Sequence, residues 1–543
     1  MTTPRRLATA LALLFCLASA SAAQALPGQV IRDPEHPQWL MRAGGEHLFL
    51  AGPGDPEGFF FRGTRLPDGT RDGDQDELID ALIEHGGNSI YIEAVRSHGG
   101  DGPSDHNPFI DSNPSLGIDE DILDQWEAWL TRFDDADIMV LFFVYDDGSR
   151  IWNTGSAVGP EEDAFLRALV NRFEHHRNIA FLAYEESEEA VNSERARAIA
   201  ATLADADDHG HLIGNHHHSG TTFKVWQDGS ALDLFAMHYN KTGDEIHHGA
   251  VTTFNTGSTA GAADHGYMTL YTECLVTKTG NTEVRRHFMW DSAMGGVQPM
   301  VYGMDIHDTP VVQLQQCRVL QEFMESTDFW RMVPSDARAR GATKWVLAAP
   351  AASGEVSAIA YTREVSGDLG LGDMQAGTVD LLWIDAVNGT RVKQRRVVVT
   401  DGDNFFARPP ELGNELALWI SRSWDDLGHA LAGSGDAPRL RADGTLIGGE
   451  LVTLHASGSL PNAPGLFIIG LSGFFGPLKG GVLVPAPDFL VNVSANAQGE
   501  RVISAPWPMG APADLPVYLQ IWFADPGAPA NFVATNAVLE STP

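Results

Sequence analysis

Asn178-Ile-Ala-Phe-Leu-Ala-Tyr-Glu-Glu-Ser-Glu-Glu189 is an apolar run that stops abruptly on acids. Ile179 to Ala183 is too short for a helix and has no polar face, which predicts a strand buried on both sides. Tyr267-Met-Thr-Leu-Tyr-Thr-Glu273 has the same form. Working outward from these two, further strands are expected at 47–52, 88–93, 138–144, 211–215, 234–239 and 296–304. Helical spacing occupies 75–84, 119–133, 161–175, 193–206, 284–294 and 311–325. Eight strands, most followed by helical pattern, predict an α/β TIM (β/α)8 barrel over residues 26–335. A doubly wound open sheet is the structural alternative. Its nucleotide-binding form is weakened because no Gly-x-Gly-x-x-Gly follows the first strand.

After about residue 336 the helical period fades. Short β-rich segments such as Trp345-Val-Leu-Ala-Ala and Val379-Asp-Leu-Leu-Trp-Ile are separated by turn residues, and Asn388-Gly389 is a hairpin signal. Residues 336–432 are expected to form one all-β sandwich and 439–543 a second, with Gly433 to Pro438 as a linker. At the other end, Arg5 and Arg6 precede an apolar stretch from Leu7 to Leu17 and small residues near Ala25. This predicts a cleaved leader over 1–25 and a secreted or periplasmic protein with no membrane span.

The formal net charge is −36, and the leader would remove only basic residues. That balance disfavours nucleic acid or an anionic membrane as a partner. Asp72-Gly-Asp-Gln-Asp76 places acids at alternate positions without completing a calcium loop. Beyond the leader's Cys16, only Cys274 and Cys317 remain; an exported chain could pair them, and neither stands in a CxxC motif.

In such a barrel the C-terminal strand ends line one mouth, so their polar side chains converge. Here those ends supply Arg96, His98, Asp146, Asp147, Glu185, Glu186, Asn215, His216, His238, Tyr239, Glu273, Tyr302 and Asp305. Two carboxyls facing each other can cleave a glycosidic bond when one holds a proton, and burial or a neighbouring anion can impose that. Taken singly, Tyr302 or His238 is more often structural, and Asp146 and Asp147 could simply open a loop. Phe59 to Phe61, Trp152, Trp226 and Trp290 are either sugar-stacking platforms or ordinary packing. His216-His-His218 suggests metal, but three consecutive side chains rarely converge on one ion. The expectation is therefore no metal and no other cofactor.

The placement of Glu186 after strand four and Glu273 after strand seven resembles glycoside hydrolase clan A. The resemblance implies Glu273 as nucleophile, Glu186 as acid/base and His238 with Tyr239 near the nucleophile. Glu185 stands where that clan usually has Asn, and it competes for the acid/base role. Gln38-Trp-Leu…Gly45-Glu-His-Leu-Phe-Leu-Ala-Gly52, Phe173-Glu-His-His-Arg-Asn-Ile-Ala and Arg285…Trp290…Gly295-Gly296 resemble the apiosidase-like, DUF4038-type barrels. Trp383-Ile-Asp-Ala-Val-Asn-Gly389 and Phe405-Phe-Ala-Arg-Pro-Pro410 resemble the collagen-binding-type sandwich that often follows them. The family implies action on oligo- or polysaccharide of plant or algal type. The remaining strand-end residues, Arg96, His98, Asp146, Asn215, Tyr302 and Asp305, with Trp290, are then substrate-binding candidates. The β domains would suit association with a cell surface. Two rivals stay open: a non-catalytic carbohydrate-binding barrel, and a metal-dependent hydrolase using Asp146, His216 and His238.

Overall fold

The computed structural model describes residues 24–542 apart from 54–57, 97–103, 150, 153, 228–229, 260–265, 275–280, 301–308, 351–355, 422–423, 436, 445, 447, 450, 514 and 529. Most of the expected leader, together with His98, Tyr302 and Asp305, lies outside the described residues.

A small antiparallel sheet comes first, formed by β1 (Val30–Arg32), β2 (Leu40–Arg42) and β3 (His47–Leu48). Seven parallel strands follow: β4 (Ser89–Glu93), β5 (Met139–Tyr145), β6 (Ile179–Tyr184), β7 (Leu212–His217), β8 (Leu234–His238), β9 (Met268–Glu273) and β10 (Gln298–Pro299). Each pairs with its sequence neighbours from β4 to β10. Residues 49–52 close the ring as the eighth staff. Asn88 N–H donates to Ala51 O at 3.2 Å on one side, and Gly52 bridges Met300 in parallel on the other. Side-chain amides complete this seam. Asn88 Oδ1 accepts from Ala51 N–H at 2.9 Å, its Nδ2 donates to Phe49 O at 2.9 Å, and Gln298 Oε1 accepts from Leu50 N–H at 2.7 Å. Buried backbone groups need partners, and here two side chains supply what a full ladder would. Gly52 is required at the seam, since a Cβ there would sit 2.1 Å from Ser89 O.

The helices are α1 (Gln75–His85), α2 (Glu120–Asp135), α3 (Pro160–Phe173), α4 (Ser187–Ala190), α5 (Ser193–Ala206), α6 (Asp244–Thr259), α7 (Thr282–Met294) and α8 (Val311–Glu325). Asp119, Asn192 and Asn281 cap α2, α5 and α7 by accepting backbone N–H bonds. The cap of α5 is thus Asn192, immediately before the helical spacing at 193–206. Helix α6 is absent from the sequence-based expectation because Gly249, Thr252, Thr253, Thr256 and Gly257 are poor helix formers. Tertiary packing overrides that bias through Ile246, Ala250 and Phe254, which join the core between barrel and helices.

A separate core fills the barrel, with Tyr91, Leu141, Phe143, Leu182, Leu234, Ala236, Leu270 and Met300 among its members. Beyond the barrel the chain is antiparallel β. One six-stranded sheet and one three-stranded sheet share a core that includes Trp383, Leu418 and Ile420. The Asn388-Gly389 signal does turn Gly377–Asp385 back onto Arg391–Val399. A second set of sheets is built around Phe467, Val517, Ile521 and Phe523. Asp425–Asp426 pairs with Val538–Ser541, and Leu431 bridges Ala534. Residues 425–431 therefore pair into this second unit, ahead of the Gly- and Pro-rich stretch at 433–438.

The barrel and the first β unit are tied together by buried polar contacts. Glu415 accepts from Arg286 at 2.7 Å and Tyr361 at 2.9 Å, and Trp345 Nε1 donates to Asp291 at 2.8 Å. Trp290 is stacked on Tyr361, with ring centroids 5.2 Å apart. Cys274 and Cys317 are both buried, and no disulfide joins them to each other. The acids of 72–76 are engaged separately: Asp72 accepts from Thr64 N–H, Asp74 pairs with Arg62 and Asp76 with Arg132. No helix among the described residues is long and apolar enough to cross a membrane.

At the opposite end from the mouth, Glu325 accepts from Phe49 N–H at 3.1 Å beside a cleft of about 380 Å³. Burial pushes its carboxyl up to about 7. A raised acid favours the folded state only while protonated. Its contribution is full below about pH 4.5 and is lost as pH rises through about 7. Glu325→Gln keeps the acceptor and removes the titration. It should match the parent in urea unfolding near pH 4.5 and exceed it near pH 8, by on the order of 2–3 kcal/mol.

Candidate active site

Period-two alternation places several polar residues at the mouth. Tyr91 faces the barrel interior, so Glu93 continues that face. Leu212 does the same for His216 on β7, and Leu234 and Ala236 for His238 on β8. Glu273 does not follow this rule. Met268 and Leu270 point inward, so alternation would bring Thr272 to the mouth instead. The register shifts here, from Met237 opposite Tyr271 to His238 opposite Glu273. This bulge at Thr272 turns Glu273 toward the interior, as an extra residue in one strand does. The ladder then resumes with Tyr239 N–H donating to Glu273 O at 2.9 Å.

The end of β6 is bent as well. Glu185 N–H makes the last strand bond, to Tyr145 O at 2.9 Å. Glu186 then takes a left-handed conformation, with φ 31° and ψ 51°, before α4 starts at Ser187. For a side chain with a Cβ this costs about 1–2 kcal/mol. The bend brings the Glu186 carboxyl between two imidazoles. His238 Nδ1 lies 2.5 Å from Oε1 and His218 Nδ1 lies 2.5 Å from Oε2. The same His238 Nδ1 is 3.4 Å from Glu273 Oε2, and its Nε2 is 2.7 Å from Asn240 Oδ1. One ring nitrogen thus touches both carboxyls, and all three residues are buried.

Glu185 points to another partner, with Oε1 3.0 Å from His216 Nδ1. Glu186 N–H donates to that same nitrogen at 3.2 Å, which makes it an acceptor. A protonated Glu185 can donate to it, whereas an ionised one cannot. The electrostatics agree. Burial, reinforced by the charges of Glu186, Glu93 and Glu273, raises the Glu185 carboxyl well above the usual range. For Glu186 burial is outweighed by contact with His238, the nearby His216 and contact with His218, and it falls to about 2. His216 itself is driven down to about 3 by burial. It is therefore neutral at ordinary pH, which leaves His218 and His238 as the imidazoles that hold Glu186 ionised.

The other expected site residues divide. Arg96 is buried, with Nε 3.8 Å from Glu93 Oε2, and belongs to the mouth. Asp146 is buried and its Oδ1 accepts from Gly148 N–H at 3.2 Å, so it opens a turn. Asn215 lies on the alternate face of β7 and donates to Ser187 Oγ at 2.8 Å, bracing the bend after Glu186. Tyr239 turns away from the mouth onto α6, where a Cβ on Gly249 would lie 2.1 Å from its hydroxyl. Trp290 lies in the barrel–sandwich junction, and Phe59 and Phe60 pack on Trp129 and Trp126. The expectation that Tyr239 and Trp290 meet substrate is corrected accordingly, and for Phe59 and Phe60 the packing alternative holds. Trp152 and Trp226 pack against Phe165 and Tyr267. Of the three consecutive histidines, His216 and His218 flank the glutamates. His217 turns outward, against Phe235 and Glu188. Asp146, His216 and His238 are not assembled as one ligand set. Glu93 was missed, although it carries the signature that singled out Glu273, an apolar strand whose last residue is an acid.

These elements define a (β/α)8 barrel followed by all-β units. The chain is similar to a solved glycoside hydrolase family 5 structure from Bacteroides vulgatus, at 14% identity and a TM-score of 0.55 over 74% of this chain and 95% of that one. A second solved structure, described as a glycoside hydrolase, matches with a TM-score of 0.55 at 14% identity, over 74% of this chain and 99% of the other. No protein-family model matches the sequence, and no curated protein matches it. The likeness carries the fold, and the narrower apiosidase-like resemblance rests on its sequence motifs alone.

Proposed function

We propose that this protein is an exported glycoside hydrolase that cleaves oligo- or polysaccharide of plant or algal type with retention of anomeric configuration. The observation that carries the reading is the contact of His238 Nδ1 with both Glu186 and Glu273, at 2.5 and 3.4 Å. The facing oxygens can be no further apart than those two contacts laid end to end. That is under about 6 Å, short of the ~6.5–9.5 Å that inverting enzymes need and close to the ~5–5.5 Å of retaining ones.

In this reading the Glu273 carboxylate attacks the anomeric carbon as the glycosidic C–O bond breaks. The leaving oxygen takes a proton from the Glu185–Glu186 pair. Water then attacks the glycosyl ester and returns a proton to that pair, freeing Glu273. The adjacent glutamates share one proton near neutral pH, and in the substrate-free protein it resides on Glu185. Purified protein should be screened on a polysaccharide panel, with the anomeric form of the first product read by NMR and Glu273→Gln as control. A retained product is expected. An inverted first product would overturn the mechanism, and binding without turnover in the parent protein would favour a carbohydrate-binding barrel.

A further inference from the structure

Away from the mouth, on the N-terminal face of the barrel, a second group of donors converges. The loop between β1 and β2 reads Asp33-Pro-Glu-His-Pro-Gln-Trp39. Pro34 and Pro37 restrict its backbone. Asp33 N–H donates to Trp39 O and Trp39 N–H to His36 O, both at 2.9 Å, which pins the loop at its two ends. Asp33 Oδ1 accepts from Glu35 N–H at 2.8 Å, so the other oxygen is aimed. That Oδ2 lies 2.9 Å from His36 Nδ1 and 2.9 Å from His47 Nε2. The His47 ring is itself fixed, stacked on Trp330 at 3.9 Å and 4°. Asp33 and His47 are buried, while His36 is about one-third exposed and gives a path from solvent.

We propose that Asp33, His36 and His47 form a site for a borderline divalent transition metal of the zinc class. It would clamp the 33–39 loop to β3, immediately before the 49–52 staff. The three donor atoms lie within 4.8 Å of one another. Tetrahedral zinc, with bonds of about 2.0–2.1 Å, sets its donors about 3.3 Å apart, so the 2.9 Å contacts need open by only a few tenths of an ångström. Two imidazoles and one carboxylate suit zinc, cobalt or nickel and disfavour calcium or magnesium, which prefer oxygen ligands. Arg439 is the guanidinium within electrostatic range of both Asp33 and His47. The donor set has a single anionic ligand, and with Arg439 nearby moderate rather than extreme affinity is expected.

The test uses the full chain, stripped with chelator and titrated with Co²⁺ alone and then Zn²⁺ alone. One equivalent of Co²⁺ should give the visible absorption of a low-symmetry site, and Zn²⁺ should displace it and raise Tm. His36→Ala, at a partly exposed position that leaves the fold in place, should lose that equivalent, and Asp33→Asn should lose it too. His175→Ala and His218→Ala, each of which removes a histidine from one of the other convergent groups, should keep it. Absence of stoichiometric binding in the parent protein would overturn the proposal, leaving a hydrogen-bonded Asp–His–His group. Undiminished binding in His36→Ala would overturn it as well.

Discussion

Glu273→Gln is expected to lower kcat/KM on the hydrolysed polysaccharide by on the order of 10³–10⁵-fold, about 4–7 kcal/mol of transition-state stabilisation. The reason is specific to the bulged end of β9. The carboxyl is turned inward against alternation, is buried, and has His238 Nδ1 at 3.4 Å. Gln has the same size and can accept from that imidazole, so Tm should stay within a degree or two of the parent. The amide cannot form the glycosyl ester. In Glu273→Ala, which does leave space, added azide with an activated substrate should restore turnover by attacking from the vacated side, and the product should then be inverted. Full turnover by Glu273→Gln would remove it from the mechanism. A variant that loses activity together with its folding transition would instead report a structural role.

The barrel was legible because its strands are continuous apolar runs and its helices carry a clear apolar stripe, and both signals are set by burial alone. Three features lay beyond them. Strand segment 49–52 is held by the amides of Asn88 and Gln298, and which side chains cross a seam follows only from three-dimensional closure. Helix α6 opposes its own local propensity. The inward turn of Glu273 needs a bulge, which breaks the very period from which facing is read. Facing also explains Trp290 and Tyr239. Both lie near a strand end or its following helix, but their rings pack against Tyr361 and α6, not the mouth. Glu93 was open to the same argument as Glu273 and shows that a strand-terminal acid is worth weighing on every staff of a barrel.

The resting charges of the adjacent glutamates differ from those that Glu186 as proton donor would require. Burial, and after it the charge of Glu186, raises the Glu185 carboxyl, whereas Glu186 itself is lowered. Glu186 stays ionised because two imidazoles, His238 and His218, each lie 2.5 Å from one of its oxygens. The two substitutions should therefore differ in kind. Glu185→Gln removes the resting proton, so the basic limb of the kcat/KM profile should vanish and activity at neutral pH should fall by on the order of 10²–10⁴-fold, least for substrates with good leaving groups. Glu186→Gln removes the charge that, after burial, does most to raise Glu185. Its basic limb should persist and move to lower pH, because a carboxyl relieved of an anionic neighbour ionises more easily. The two groups titrate as a unit, so the profiles of both variants must be compared with that of the parent. If Glu186→Gln abolishes the limb and Glu185→Gln only shifts it, the donor is Glu186, and substrate must free its carboxyl from His218 and His238 before the proton can reside there.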